Sequence, residues 1–211
     1  MTGPFYETFL YALVALLVIF DPAGTAALFA AMTPHDTVAE RAQQARRACL
    51  IAFIVLAAFG LAGEGLLRAL GIGLPAMKVA GGILLFLTAA DMVTARGNLR
   101  ATSSEREAAT RTEDDISVFP LAIPLIAGPG AMTTMVLLHS TAAGDPWRIG
   151  AIELALLAAV AITLAALLTA RWVHRLLGET GSSVIGRVLG VLLAALAAQI
   201  VLDGVREALG R

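Results

Sequence analysis

Hydrophobic residues along this chain fall in long blocks rather than in alternation. Six windows of about 20 residues are mostly apolar: 8–32, 49–70, 74–95, 116–138, 149–171 and 184–202. A helix needs ~20 such residues to cross the hydrocarbon of a bilayer. The windows lack the period-two pattern of barrel strands, so they predict helices. The polar positions concentrate in two places. Segment 33–47 is charged, and segment 96–115 (RGNLRATSSEREAATRTEDD) is the longest polar stretch, with no hydrophobic periodicity. The pattern predicts an all-α polytopic membrane protein. Its six transmembrane helices form one transmembrane domain over 1–211. Residues 96–115 are expected to be a solvated loop between two nearly equal halves, 1–95 and 116–211.

Two of the apolar blocks are interrupted. Asp21-Pro22-Ala23-Gly24 breaks the first, and Gly128-Pro129-Gly130 breaks the fourth, at an offset of 107 residues between the prolines. Lys78-Val79-Ala80-Gly81 opens the third block and Arg187-Val188-Leu189-Gly190 the sixth, at an offset of 109. Similar offsets at separate places point to an internal duplication. Three helices per half is an odd number, so the second half would run through the membrane in the opposite sense. The expectation is two inverted three-helix repeats with broken helices 1 and 4, an arrangement found in many secondary transporters.

Composition sharpens this picture. Hydrophobic residues make up 58% and charged residues 15% of the chain. So few charges cannot cover a water-exposed surface, and lipid is expected to cover much of it. The net charge of −1 gives no electrostatic case for nucleic acid. The lone Cys49 excludes an internal disulfide and a cysteine zinc site. The N-terminal MTGPFYETF carries no Lys or Arg and the run behind it is too long for a signal peptide, so we expect it to remain as the first span. With six spans, 5 Lys and Arg fall on the side of the termini and 10 on the other side. The positive-inside rule then places both termini outside and loops 33–47 and 96–115 in the cytoplasm. Trp147 and Trp172 bracket the fifth span as interfacial anchors do.

The breaks are the candidate chemistry. A proline within a helix removes a hydrogen bond and clashes with the preceding turn. In hydrocarbon such a break persists where it faces protein or a water-filled cavity. Asp21 lies ~20 Å of helix rise beyond Thr8, near mid-span. Asp followed by Pro is an N-cap followed by a favoured first helical residue, and Gly128-Pro129 can serve the same way. Each broken span would restart a half-helix, with unpaired amides and the positive end of its dipole at mid-membrane. Two facing N-termini suit an anionic group such as an amino-acid carboxylate. The candidate solute-binding residues are Asp21, Pro22, Gly24 and Thr25 in one half, with Gly128, Pro129, Gly130, Thr133 and Thr134 in the other. Asp21 is the leading candidate, because a mid-membrane carboxylate is costly. It would carry a coupled proton, bind the solute's ammonium group, or act purely as a helix cap.

Other polar residues carry weaker signals. Asp91 and Gln199 lie at comparable depths of the third and sixth spans, as candidate cavity-lining residues. Glu64 and Arg68 are four apart and are expected to pair near the outer interface. His139 ends a span and is expected at the interface. Gly81, Gly82, Gly186 and Gly190 are expected to allow close helix packing. No protease, hydrolase, nucleotide-binding or metal-site motif is present, so no enzyme activity, cofactor or metal is expected.

Four segments carry a resemblance: FDPAGTAALFAAMT at 20–33, VAGGILLFLTAADM at 79–92, FPLAIPLIAGPGAMTT at 119–134 and IGRVLGVLLAALAAQIVLDGV at 185–205. With them the chain resembles the MarC family, also called the UPF0056 membrane proteins. The resemblance implies a six-helix inner-membrane protein, related to the superfamily of LysE-type amino-acid exporters. It also implies transport, with small neutral amino acids the favoured solutes. One departure is that many relatives carry Asn at the position of Asp21, and a second Pro at that of Ala26 or Ala27. The leading expectation is a secondary transporter of a small solute. A membrane scaffold and a passive channel are the alternatives, and a homo-oligomer stays open.

Overall fold

The long apolar blocks fold as helices, because in lipid every backbone amide must find its partner within the segment. The computed structural model describes residues 3–33, 36–94, 116–142 and 144–210. Segment 96–115, the expected central loop, lies outside these residues. Eight helices follow one another among the described residues: α1 Gly3–Phe20, α2 Pro22–Met32, α3 Val38–Ala69, α4 Leu74–Thr94, α5 Ser117–Ile126, α6 Pro129–Ala142, α7 Pro146–Leu168 and α8 Ala170–Ala208. Five stretches are long and apolar enough to cross a membrane: Phe5–Ala30, Val38–Ala69, Leu74–Thr94, Pro146–Leu168 and Arg187–Ala208. The first of these includes the joint between α1 and α2. The fourth apolar block is divided between α5 and α6, each too short to cross alone.

Most of one expected loop is helical instead. Segment 33–47 is helix from Val38 onward, because Thr37 and Glu40 form a capping box that starts α3 inside the polar stretch. The Thr37 amide donates to Glu40 Oε2 at 2.7 Å, and the Glu40 amide donates to Thr37 Oγ1 at 3.3 Å. These two bonds satisfy amides that the first turn leaves without partners. The chain between the fifth and sixth blocks is likewise helical. Only Thr169 separates α7 from α8.

In hydrocarbon, helices associate through close packing rather than water exclusion, which favours small residues at contacts. The tightest pair is α4 with α8. A Cβ placed on Gly82 would lie 2.9 Å from the Ala197 carbonyl oxygen, one on Gly190 3.1 Å from that of Ala89, and one on Gly204 2.8 Å from that of Pro75. These contacts run in opposite order along the two helices, so α4 and α8 are antiparallel. Around this pair, α1 packs on α7, and α3 packs on α5, α6 and α7. The short helix α2 lies against α7 and α8, and α6 lies against α3 and α4. The Glu64–Arg68 pair forms on the exposed face of α3. Trp147 is exposed at the start of α7, where an interfacial anchor is expected.

Candidate solute-binding site

The first break is a one-residue joint. Asp21 adopts φ 43° and ψ 68°, and is the one non-glycine residue with positive φ among those described. This left-handed conformation costs a non-glycine residue ~1–2 kcal/mol, least for Asp and Asn, whose short side chains bond locally. Asp21 Oδ1 accepts from the Gly24 amide at 3.1 Å. Thr25 Oγ1 donates to the Phe20 carbonyl at 2.7 Å, within the bundle. Pro22 occupies the first turn of α2, where its missing N–H loses nothing. A Cβ at Gly24 would lie 2.1 Å from Asp21 Oδ2, so the cap requires glycine there. The carboxylate and the hydroxyl expected to meet a solute thus both bond the joint's own backbone.

The second break is wider. Phe119 and Ile123 precede Pro120 and Pro124 and are extended, at φ −131° and −129°. Proline pushes the residue before it out of the helical region, so α5 winds irregularly with bonds five residues apart. One of them, from the Ala127 amide to the Ala122 carbonyl, is 2.8 Å. The chain turns through Ala127 and Gly128, and α6 starts at Pro129. The first bond of α6 runs from the Met132 amide to the Gly128 carbonyl at 3.0 Å. Pro129 has no N–H, and the amides of Gly130 and Ala131 lie in the first turn, where a helix supplies no acceptor of its own.

A cavity of about 230 Å³ opens at this second break. Gly128, Pro129, Gly130 and Ala131 line it, together with Thr88 and Asp91 of α4. Leucine and isoleucine side chains complete it, among them Ile19, two residues before the first break. It is smaller than the ~300–1,000 Å³ of sites for drug-sized ligands and suits a solute of a few heavy atoms. Half-buried Asp91 supplies a carboxylate to the cavity lining. Gly130 is fitted against Leu85, since a Cβ there would lie 2.5 Å from Leu85 Cδ2.

The structure brings Gly128, Pro129, Gly130 and Asp91 to one cavity and leaves the other candidates elsewhere. Thr133 Oγ1 donates to the Pro129 carbonyl at 2.9 Å, and its methyl group packs on Gly81. Thr134 lines a second cavity, of about 150 Å³, with Tyr11, Lys78 and Asp203. Gln199 is exposed and donates to Asp203 Oδ1 at 2.9 Å, so it lines neither cavity. His139, near the end of α6, is buried against α3 and α7, 3.0 Å from Glu153 of α7. Sequence reasoning passed over Glu153, although a carboxylate inside the run AIELALL was a signal. It also passed over Thr88, whose place in the cavity depends on how α4 meets α6. Among the described residues no three His, Cys, Asp or Glu side chains cluster as metal ligands.

A bundle of apolar helices, with five stretches long and apolar enough to cross a membrane, defines a polytopic membrane protein. The description of the MarC family of integral membrane proteins matches residues 6–209. The chain belongs to that family. It is 36% identical over 205 residues to a UPF0056 membrane protein of Methanocaldococcus jannaschii, covering 96% of this chain and 98% of that one. It is 35% identical over 197 residues to the UPF0056 inner membrane protein YhgN of Escherichia coli, covering 92% and 94%. The UPF0056 membrane protein YvbG of Bacillus subtilis is 29% identical over 202 residues, covering 95% of each chain. No solved structure matches.

Proposed function

We propose that this protein is a secondary carrier for a small neutral amino acid or a solute of similar size, and not an enzyme. The observation that carries the reading is the cavity at Gly128–Pro129–Gly130. It joins the first turn of α6, a place for a carboxylate, to the Asp91 carboxylate, a partner for an ammonium group. Its apolar walls accept a short side chain.

In this reading α5 and α6 together make a sixth, broken crossing, and the halves are inverted repeats. The packing supports it. Exchanging first, second and third spans with fourth, fifth and sixth turns α1 on α7 into α5 on α3. It turns α2 on α8 into α6 on α4, and it maps the α4–α8 pair onto itself. All of these contacts are present. An antiparallel α4–α8 pair is what a two-fold axis in the membrane plane requires. Both termini then lie outside the cell membrane and segment 96–115 in the cytoplasm, by the charge asymmetry of the sequence.

Counterflow in proteoliposomes tests the reading, with labelled alanine, glycine and serine entering vesicles loaded with the unlabelled solute. The expected result is saturable exchange, reduced at least tenfold by Gly128→Leu, which fills the cavity. Non-saturable flux would indicate a channel. No flux across the panel would favour a scaffold.

A further inference from the structure

His139 and Glu153 are the ionisable pair within the bundle that the solute site does not use. His139 lies three turns along α6 from the break, ~15 Å of helix rise from Pro129. Its side chain is 6% exposed and that of Glu153 25%. Helix α3 passes directly over the ring. A Cβ on Gly60 would lie 2.5 Å from His139 Cε1, so glycine is what lets the imidazole fit between α3 and α7.

The ring's neighbours fix its proton count. Nδ1 lies 3.0 Å from the Met135 carbonyl oxygen, which can only accept, so Nδ1 carries a hydrogen. Nε2 lies 3.0 Å from Glu153 Oε1, without the alignment of a formed hydrogen bond. With no further proton, two lone pairs would face each other there and the pair would carry a buried net charge of −1. One more proton, on Nε2 or on the carboxyl group, makes the pair neutral and removes the repulsion. Other charged groups lie on the elements around the pair. Glu64, one turn beyond Gly60 on α3, pairs with Arg68. Lys78 of α4 pairs with Glu207 of α8. Glu7 of α1 and Arg148 of α7 line a separate cavity with Leu138 and Ile152.

We infer that the His139–Glu153 pair is the binding site for a proton coupled to solute movement. The inference rests on the carrier reading and adds the coupling ion and its place. Helix α6 carries the solute cavity at its first turn and the proton at His139. Glu153 belongs to α7, on which α1 and α2 with the first break pack. A shift of α6 against α7 parts the two groups: in the protonated pair it breaks the bond that the shared proton makes, and in the −1 state it relieves the repulsion of their facing lone pairs. Release of the proton to water on one side, and uptake from the other, accompanies each such shift. The balance is one proton: the pair passes from net charge 0 to −1 on release and back to 0 on uptake.

Two measurements on the full chain in proteoliposomes separate this inference from the reading beneath it. The first is alanine counterflow at equal pH on both sides. The second is alanine accumulation driven by a pH difference alone. The wild type is expected to show both. Glu153→Gln and His139→Gln are expected to keep counterflow within about threefold and to lose accumulation by at least tenfold. Unchanged accumulation in the Glu153→Gln protein, or wild-type accumulation indifferent to the pH difference, overturns the proton site while counterflow leaves the carrier reading intact. Absence of wild-type counterflow overturns both. If one variant does not fold, the other decides.

Discussion

At the scale of single residues, Asp21 is a backbone cap held in a left-handed conformation. Its useful property is an acceptor oxygen on a short side chain, not its charge. Asn offers the same oxygen and tolerates the same backbone. Asp21→Asn is therefore expected to leave thermal stability in detergent nearly unchanged and counterflow within a few-fold. Asp21→Ala loses the bond to the Gly24 amide and strains the joint, and is expected to cost ~1–2 kcal/mol. Equal stability of the Asn and Ala variants would show that the cap contributes nothing. The departure from relatives that carry Asn here then becomes intelligible, since the two side chains do one job. The sequence made this cap legible, because Asp-Pro is a local signal for a helix start. It could not show that the oxygen is consumed by Gly24, three residues on, rather than offered to a solute.

At the scale of helices, close approach at glycine sets the geometry of the cavity. Gly81 takes the methyl group of Thr133, and a Cβ at position 81 would lie 1.8 Å from it. Gly81→Ala forces α4 away from α6 and is expected to destabilise the protein by ~1–3 kcal/mol. Gly65 of α3 has open space around it. Gly65→Ala is expected to be neutral or to stabilise by ~0.5–1 kcal/mol, since it removes a flexible residue from a helix interior. Thermal unfolding of the two variants checks the pair. An equal effect would mean that the α4–α6 contact does not constrain the fold. Helix identity was legible at this scale from apolar block length, which marks what lies in lipid. Helix ends were not. The Thr37–Glu40 box starts α3 within charged sequence that hydropathy assigns to a loop. The prolines at 120 and 124 distort α5 through their neighbours' backbone, an effect that apolar content hides. Tertiary pairs were illegible for a different reason: His139 meets Glu153 only because α6 and α7 fold back on each other.

At the scale of the whole molecule, the two breaks play different parts. The first closes on itself through Asp21 and Thr25. The second stays open, with its first-turn residues and Asp91 lining the cavity. In the proposed carrier reading, solvent would reach the site from one side at a time, and the open break would be the side that it reaches. The spacing of the Pro and Gly breaks in the sequence is what suggests the proposed equivalence of the halves, since a duplication would preserve spacing. The unequal state of the two breaks depends on packing that the repeat pattern does not encode.

The central claim is that water and solute reach the cavity at the second break. Thr88 lines that cavity, and Cys49 is the chain's lone cysteine, so Thr88→Cys in a Cys49→Ala background gives a single thiol there. Labelling of this thiol by a membrane-impermeant maleimide tests the claim directly. The account predicts labelling from one side of the membrane, slowed severalfold by millimolar alanine. A thiol that labels only in denatured protein, or at a rate indifferent to every solute that exchanges, would contradict it.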